Sequence, residues 1–388
     1  MIYRLFLFLL LLFSLISCNN DGLSIVEGKV ISILPDSDSL MSPEEFLRNI
    51  QIKNINNQIV SYWINYNTNS FHIFNVTTNE NRSISLDSLI VGSIHQNIDY
   101  QILNEYDVGF YSWIDKKLYI LNSLNNLIRK FDFNECLKGE DTNITPVSSN
   151  RFPFIYKNNS VSFVCTYTDL FMNSKDAIKE YFERNNTIQF LLSETKCTYH
   201  KYSFFPTNYQ NGSTYNNYFF YNCLNASGEI VYSYSANDSV YIYSATNELI
   251  KQHEAKSKHS KIFTEYDLSK INDINYARQY ALCNGFYESI IFDKFRNVYY
   301  RVYKKSVPYL NNDGKIRSGS EIPWSLIVLD DAFNKLGEIE FNPAKYSPSY
   351  IIPSEQGVYI GHPYEVNIKN RQLSLTLLKF KYDFKEQK

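Results

Sequence analysis

The sequence predicts an all-β protein, a β-propeller of six blades in one ring with a few short helical insertions. Three observations carry that prediction. Short runs of alternating aromatic and aliphatic residues recur along the chain, the period-two signature of half-buried strands. Clusters of Asn, Asp, Ser and Thr of turn length separate them, and these residues close hairpins through their own side chains. The strand–turn–strand units come in pairs, which makes the four-stranded meander of a propeller blade, at an irregular spacing of roughly fifty residues.

The elements follow in order. Arg4 precedes an apolar run from Leu5 to Ile16 broken only by Ser14, too short for the ~20 residues of a spanning helix and of the length of a signal-peptide core. Leu15-Ile16-Ser17-Cys18 resembles a bacterial lipobox. Residues 1–17 are therefore read as a lipoprotein signal peptide, Cys18 as the acylated mature N-terminus and 18–22 as a tether. A single propeller domain is expected over 23–388. The strand from Ser24 to Leu34 is expected to join the last blade and close the ring, removing the exposed sheet edges. Ser42-Pro43-Glu44-Glu45 reads as a helix start, with a short helix to about Asn49.

Blade units are expected to begin near residues 58, 107, 151, 215, 286 and 355. The clearest hairpins join Phe71–Val76 to Ser83–Leu86, Leu118–Leu121 to Leu127–Phe131, Val240–Tyr243 to Leu249–Lys251, and Leu326–Leu329 to Leu336–Phe341. Upstream strands are read at Ile59–Ile64, Val108–Trp113, Ile230–Tyr234 and Tyr287–Phe292. Ala177, Ile178, Tyr181 and Phe182 share one helical face between Ser174 and Arg184, and Ile274 to Cys283 reads as a further helix that stops before Gly285.

Five cysteines follow Cys18: Cys136, Cys165, Cys197, Cys223 and Cys283. An exported chain permits a disulfide, and Cys197 with Cys223 is the nearest pair in sequence. Wide spacing and the absence of C-x-x-C favour buried, unpaired thiols.

One stretch is distinctive: Tyr287-Glu288-Ser289-Ile290-Ile291-Phe292-Asp293-Lys294-Phe295-Arg296-Asn297-Val298-Tyr299-Tyr300-Arg301. After it come Leu326-Ile327-Val328-Leu329-Asp330-Asp331 and Ser354-Glu355-Gln356-Gly357-Val358-Tyr359-Ile360. With the lipobox, this series resembles a Bacteroidetes-type lipoprotein family defined as a domain of unknown function (number four-two-two-one). The resemblance implies a TolB-like, six-bladed propeller from Leu23 to the C-terminus and supplies no catalytic residues.

Composition narrows the function. Of 388 residues 38 are Lys or Arg and 40 Asp or Glu, for a net charge of −2, without the basic excess of a nucleic-acid surface. The 33 Tyr, 27 Phe and 3 Trp suit strand packing and blade interfaces; the same rings also stack on sugars. No nucleophile-elbow or phosphate-loop motif occurs. His253-Glu254 with His259 has the wrong spacing for a zinc helix. Asn311, Asp313 and Gly314 form only part of a calcium loop, with Tyr309 and Ser320 at its ends. No metal and no cofactor are expected.

The candidate ligand-binding residues are Asp293, Arg296, Tyr299, Arg301 and Trp324. Asp293 and Arg296 stand in a hairpin turn. Alternation places Tyr299, Arg301 and Tyr303 on one strand face and Tyr300 and Val302 on the other. Asp293 is read first as a turn organiser helped by a nearby guanidinium. The functional reading has Arg301 and its tyrosines reaching the central channel to hold an anionic or sugar ligand. The function expected is that of a lipoprotein held to the membrane through Cys18, at the periplasmic or surface face of the outer membrane, which binds an envelope protein or a glycan. The rival class is a polysaccharide hydrolase or lyase whose carboxylates assemble from several blades at the channel mouth.

Overall fold

A computed structural model of the protein describes residues 23–33, 42, 46–47, 49–86, 98–104, 107–122, 127–137, 139–149, 152–157, 159–170, 174–192, 197–210 and 219–382. Cys18, the signal segment and the tether lie outside the described residues.

Six antiparallel sheets follow one another around a ring. The chain enters through β1 (Leu23–Ile33) and then builds the first blade from β2 (Gln51–Ile55), β3 (Gln58–Asn65), β4 (Ser70–Asn75) and β5 (Glu80–Ser85). The second blade is β6 (Ile98–Ile102), β7 (Asp107–Ser112), β8 (Lys117–Asn122) and β9 (Leu127–Asp132). In the third, β10 (Ile144–Val147) and β11 (Ile155–Lys157) both pair with β12 (Ser160–Tyr167), followed by β13 (Asn185–Leu192) and β14 (Cys197–Phe204). The fourth holds β15 (Phe220–Leu224), β16 (Ile230–Tyr234), β17 (Ser239–Tyr243) and β18 (Leu249–Glu254). The fifth holds β19 (Phe286–Asp293), β20 (Val298–Lys304), β21 (Trp324–Leu329) and β22 (Lys335–Phe341). The sixth takes β23 (Ser347–Ser354), β24 (Gly357–Gly361) and β25 (Leu373–Tyr382), and its outer strand is β1.

The ring therefore closes as expected, with Leu23 opposite Tyr382 and Ile33 opposite Leu373. The first strand of each blade faces the axis; β15 lies against β19, and β23 against both β2 and β19. Apolar clusters fill the gaps between neighbouring sheets, such as Tyr300, Val302, Trp324 and Leu326 against Val358, Ile360 and Leu378. Burying side chains of this size stabilises by about 1.5–3 kcal/mol each.

The starts of the first, second and sixth blades differ from the sequence reading. The first and second blades open at Gln51 and Ile98, one strand before residues 58 and 107. Both are five-residue strands rich in polar side chains: Gln-Ile-Lys-Asn-Ile breaks strict alternation, and Ile-Asp-Tyr-Gln-Ile keeps it over only three apolar residues. The sixth blade opens at Ser347, ahead of residue 355. The thiols differ too: Cys136 and Cys197 are bonded across 61 residues with Cα atoms 5.5 Å apart, linking the connection after β9 to the outer strand β14. Cys165, Cys223 and Cys283 are free.

The two faces of the ring are unlike. Turns after the first and third strands are short and make one face, the turn face. Connections after the second and fourth strands make the other, the loop face. The loop face carries α1 (Lys175–Glu183), α2 (Thr207–Gln210), α3 (Ile274–Cys283) and α4 (Tyr364–Asn370). Ser174 caps α1 by accepting from the Ala177 amide, and Asp273 caps α3, each satisfying an otherwise unpaired first-turn N–H. Phe46, Leu47 and Asn49 are also helical, with the Phe46 amide bonded to the Ser42 carbonyl; the rest of that expected helix lies outside the described residues.

Candidate functional site

The fifth blade holds all five residues singled out by the sequence. Asp293 ends β19 fully buried. One carboxylate oxygen accepts the amides of Phe295 and Arg296, and the other accepts Arg296 Nη1 at 2.6 Å and the Tyr300 hydroxyl at 2.8 Å. Arg296 Nη2 continues to the carbonyls of Ser354 and Glu355. The pair thus fixes one hairpin turn and ties it to the first turn of the sixth blade.

Arg301 is wholly buried and points into the fourth blade. Its Nε donates to Ser233 Oγ, Nη1 to the carbonyls of Asp238 and Ala255, and Nη2 to those of Asn237 and Ser239. A guanidinium has five N–H donors, and all five are used. Its carbon lies 3.5 Å from the centre of the Tyr287 ring, a cation–π arrangement. Burial pulls the guanidinium down to about 10, opposed by nearby Tyr287 and Asp238, so it remains charged at neutral pH.

Tyr299 shares that strand face, stacked on Phe333 at 4.5 Å with its hydroxyl accepting from Asn225. Trp324 faces the sixth blade instead, stacked on Phe341 at 4.2 Å and donating to the Tyr346 carbonyl. The structure brings Asp293 and Arg296 together, and Arg301 with Tyr299, but on opposite sides of one blade. What the geometry shows is five side chains serving the packing between blades.

Nearer the axis, Asp99 on β6 accepts from Ser148 Oγ at 2.5 Å, and Ser148 Oγ also accepts the Phe154 amide. Burial raises the Asp99 carboxyl to about 6, against hydrogen bonds from Ser148 and Gln101 that favour the ionised form. Lys53 on β2 stays open to solvent, yet protein packed around it lowers its ammonium pKa. His253 Nδ1 meets the carbonyl of Glu254, whereas His259 Nε2 meets Glu340, so these two imidazoles do not converge. Among the described residues no cluster of three His, Cys, Asp or Glu is placed to hold a metal.

A cleft of about 330 Å³ opens on the turn face between the first and second blades. Its walls include Val60, Tyr62, Phe71, Val108 and Phe110, and its rim Asn56, Asn75, Glu80, Arg82 and Asn104. Ile55, Ile73 and Ile102 also line it. At the corresponding level between the fourth and fifth blades, Phe292, Tyr299 and Phe333 pack together. Sequence reading missed both the cleft and Asp99, because each is assembled from two blades and neither leaves a local motif.

The profile of a protein family, the domain of unknown function DUF4221, matches residues 110–340. The chain belongs to that family. No curated protein matches it. Among solved structures, a DUF4221 member from Bacteroides vulgatus is similar at 17% identity and a TM-score of 0.71, over 94% of this chain and 100% of that one. This likeness extends the family's six-bladed propeller to nearly the whole chain. Virginiamycin B lyase from Staphylococcus aureus aligns at 9% identity and a TM-score of 0.39, covering 92% and 99% of the two chains. Regucalcin, a calcium-binding protein from Agrobacterium tumefaciens, aligns at 9% and 0.39, covering 89% and 92%. Neither of these two likenesses bears on what this DUF4221 chain binds.

Proposed function

We propose that this DUF4221 protein is a lipid-anchored protein of the outer membrane that binds an envelope protein or glycan through its loop face. The observation that carries the reading is the asymmetry of the ring. The long connections 168–184, 255–285, 305–323 and 362–372 all follow second or fourth strands, so they share one face. β1 starts from the other face, and Leu23 follows Cys18 by only four intervening residues. Four residues reach at most ~14 Å. A diacylated Cys18 would keep the turn face toward the bilayer and leave the loop face free. Two acyl chains suffice for stable anchoring. On the loop face Trp113 and Ile114 are 44% and 59% exposed, and solvent-facing Trp is a side chain that partner surfaces use as an anchor. The bonded pair Cys136–Cys197 fits an oxidising, exported compartment.

The test begins with labelled palmitate, which should enter the wild-type chain expressed in bacteria and not Cys18→Ser. A chain lacking residues 1–18 is then immobilised against envelope protein and glycan fractions. A saturable partner at micromolar concentration is expected, weakened by Trp113→Ala and unaffected by Thr246→Arg on the turn face. No label, or no saturable partner, overturns the reading. The rival, a polysaccharide hydrolase or lyase, requires acids converging at one channel mouth; release of reducing ends from envelope glycans would support it instead.

A further inference from the structure

We infer that the cleft between the first two blades is a small-molecule site for an amphiphilic acid, with an apolar body of about ten carbons and one anionic head. Size supplies the first argument. A dry cavity of about 150 Å³ accepts one benzene, and this space is about 330 Å³. It also falls in the usual range for ligand pockets, ~300–1,000 Å³.

The walls supply the second. Val60, Phe71, Ile73, Val108 and Phe110 line the interior, and they offer no charge to a polar ligand. An apolar body seated against such walls would gain dispersion contacts with them.

The rim supplies the third and sets the sign of the head group. Glu80 and Arg82 alternate on β5 and so share a face. Glu80 already accepts the Thr78 hydroxyl at 2.9 Å. Arg82 is exposed, and none of the hydrogen bonds or ion pairs among the described residues occupies it. Its planar fork is suited to a carboxylate or sulfonate. The Asn75 amide is already committed, donating to Gln58 and accepting the amides of Thr77 and Thr78, so it frames the mouth without competing for the head. The inference stands apart from the anchor and the loop-face partner, since it concerns the opposite face.

The experiment titrates the chain lacking residues 1–18 with 2-naphthoate and, separately, with the neutral 2-naphthamide. Naphthoate should bind saturably at one site. Arg82→Gln should weaken naphthoate about tenfold, the worth of one hydrogen bond to a charged group, and leave naphthamide within twofold. Ile73→Trp, which fills the cleft, should abolish both. With isoleucine methyl labels, naphthoate should shift Ile55, Ile73 and Ile102, a reading that holds even if Ile73→Trp fails to fold. Absence of saturable binding, equal loss of acid and amide in Arg82→Gln, or methyl shifts confined to other blades would each overturn the proposal.

Discussion

At the scale of single residues, Arg301 shows how a buried charge can be tolerated without a carboxylate in contact. Its five donors meet one hydroxyl and five backbone carbonyls on and beside the fourth blade, and each of those oxygens would otherwise need another partner inside the protein. Removing the guanidinium therefore costs more than the bonds themselves. Arg301→Met should lower stability by about 3 kcal/mol, in the range for breaking a buried charged network, read as a reduced urea midpoint with an unchanged slope. Arg301→Lys should recover little, because three donors on a point charge cannot match the planar fork. A midpoint equal to wild type would show that the carbonyls find water. Asp99 presents the opposite sign. Its carboxyl is held at about 6 against an ordinary 3.8, so the folded state binds the proton more tightly than the unfolded chain. The contribution is fully present below pH 3.8 and is lost as pH rises through about 6. Wild-type stability should thus fall across that window, and Asp99→Asn, which cannot ionise, should flatten the fall. Parallel pH profiles of the two chains would rule this out.

At the scale of elements, the parts legible in the sequence are those whose information is local. The four hairpins read most clearly became β4–β5, β8–β9, β17–β18 and β21–β22, the third and fourth strands of four blades. In two of these turns side chains help close the hairpin: Asn75 accepts the amides of Thr77 and Thr78, and Asp330 that of Asn334. Asn79, Asn247 and Phe333 take positive φ in these turns, a conformation Asn adopts more readily than other side-chain-bearing residues. Gly357 meets the same need by size, since a Cβ there would sit 2.3 Å from the Leu378 carbonyl oxygen. The Asp293 turn belongs to this series, which is why turn chemistry alone described it. Helices α1 and α3 were equally legible, α1 through the helical spacing of Ala177, Ile178, Tyr181 and Phe182 and α3 as a run stopped before Gly285; Ser174 and Asp273 cap them in the structure. The innermost strands of the first two blades were not legible, because Gln51, Lys53 and Asp99 leave them few apolar residues, whereas innermost β19 was read at Tyr287–Phe292. The bond between Cys136 and Cys197 was hidden for a related reason. It joins positions 61 residues apart that meet only once the second and third blades stand side by side, so proximity in sequence pointed to the wrong partner.

At the scale of the whole molecule, the ring has one seam, and β1 seals it. Every other blade is built from consecutive strands, whereas the sixth joins residues 23–33 to residues 347–382. Eleven residues thus stop β25 from presenting an open edge, and an open edge is a template for aggregation. The seal is apolar as well as hydrogen-bonded: Ile33 is fully buried with Phe46, Trp63 and Leu375, and Ile25 packs against the core between the fifth and sixth blades. A ring also distributes strain differently from an open stack, because loss of one outer strand loosens the two interfaces flanking its blade. A chain beginning at residue 34 should therefore melt well below one beginning at residue 23 and should form oligomers through β25, read by thermal unfolding and size-exclusion chromatography. A synthetic peptide of residues 23–33 added to the shorter chain should restore the monomer. Equal melting temperatures for the two chains would mean that five complete blades hold the ring shut without the seam, and that β1 serves the tether rather than the fold.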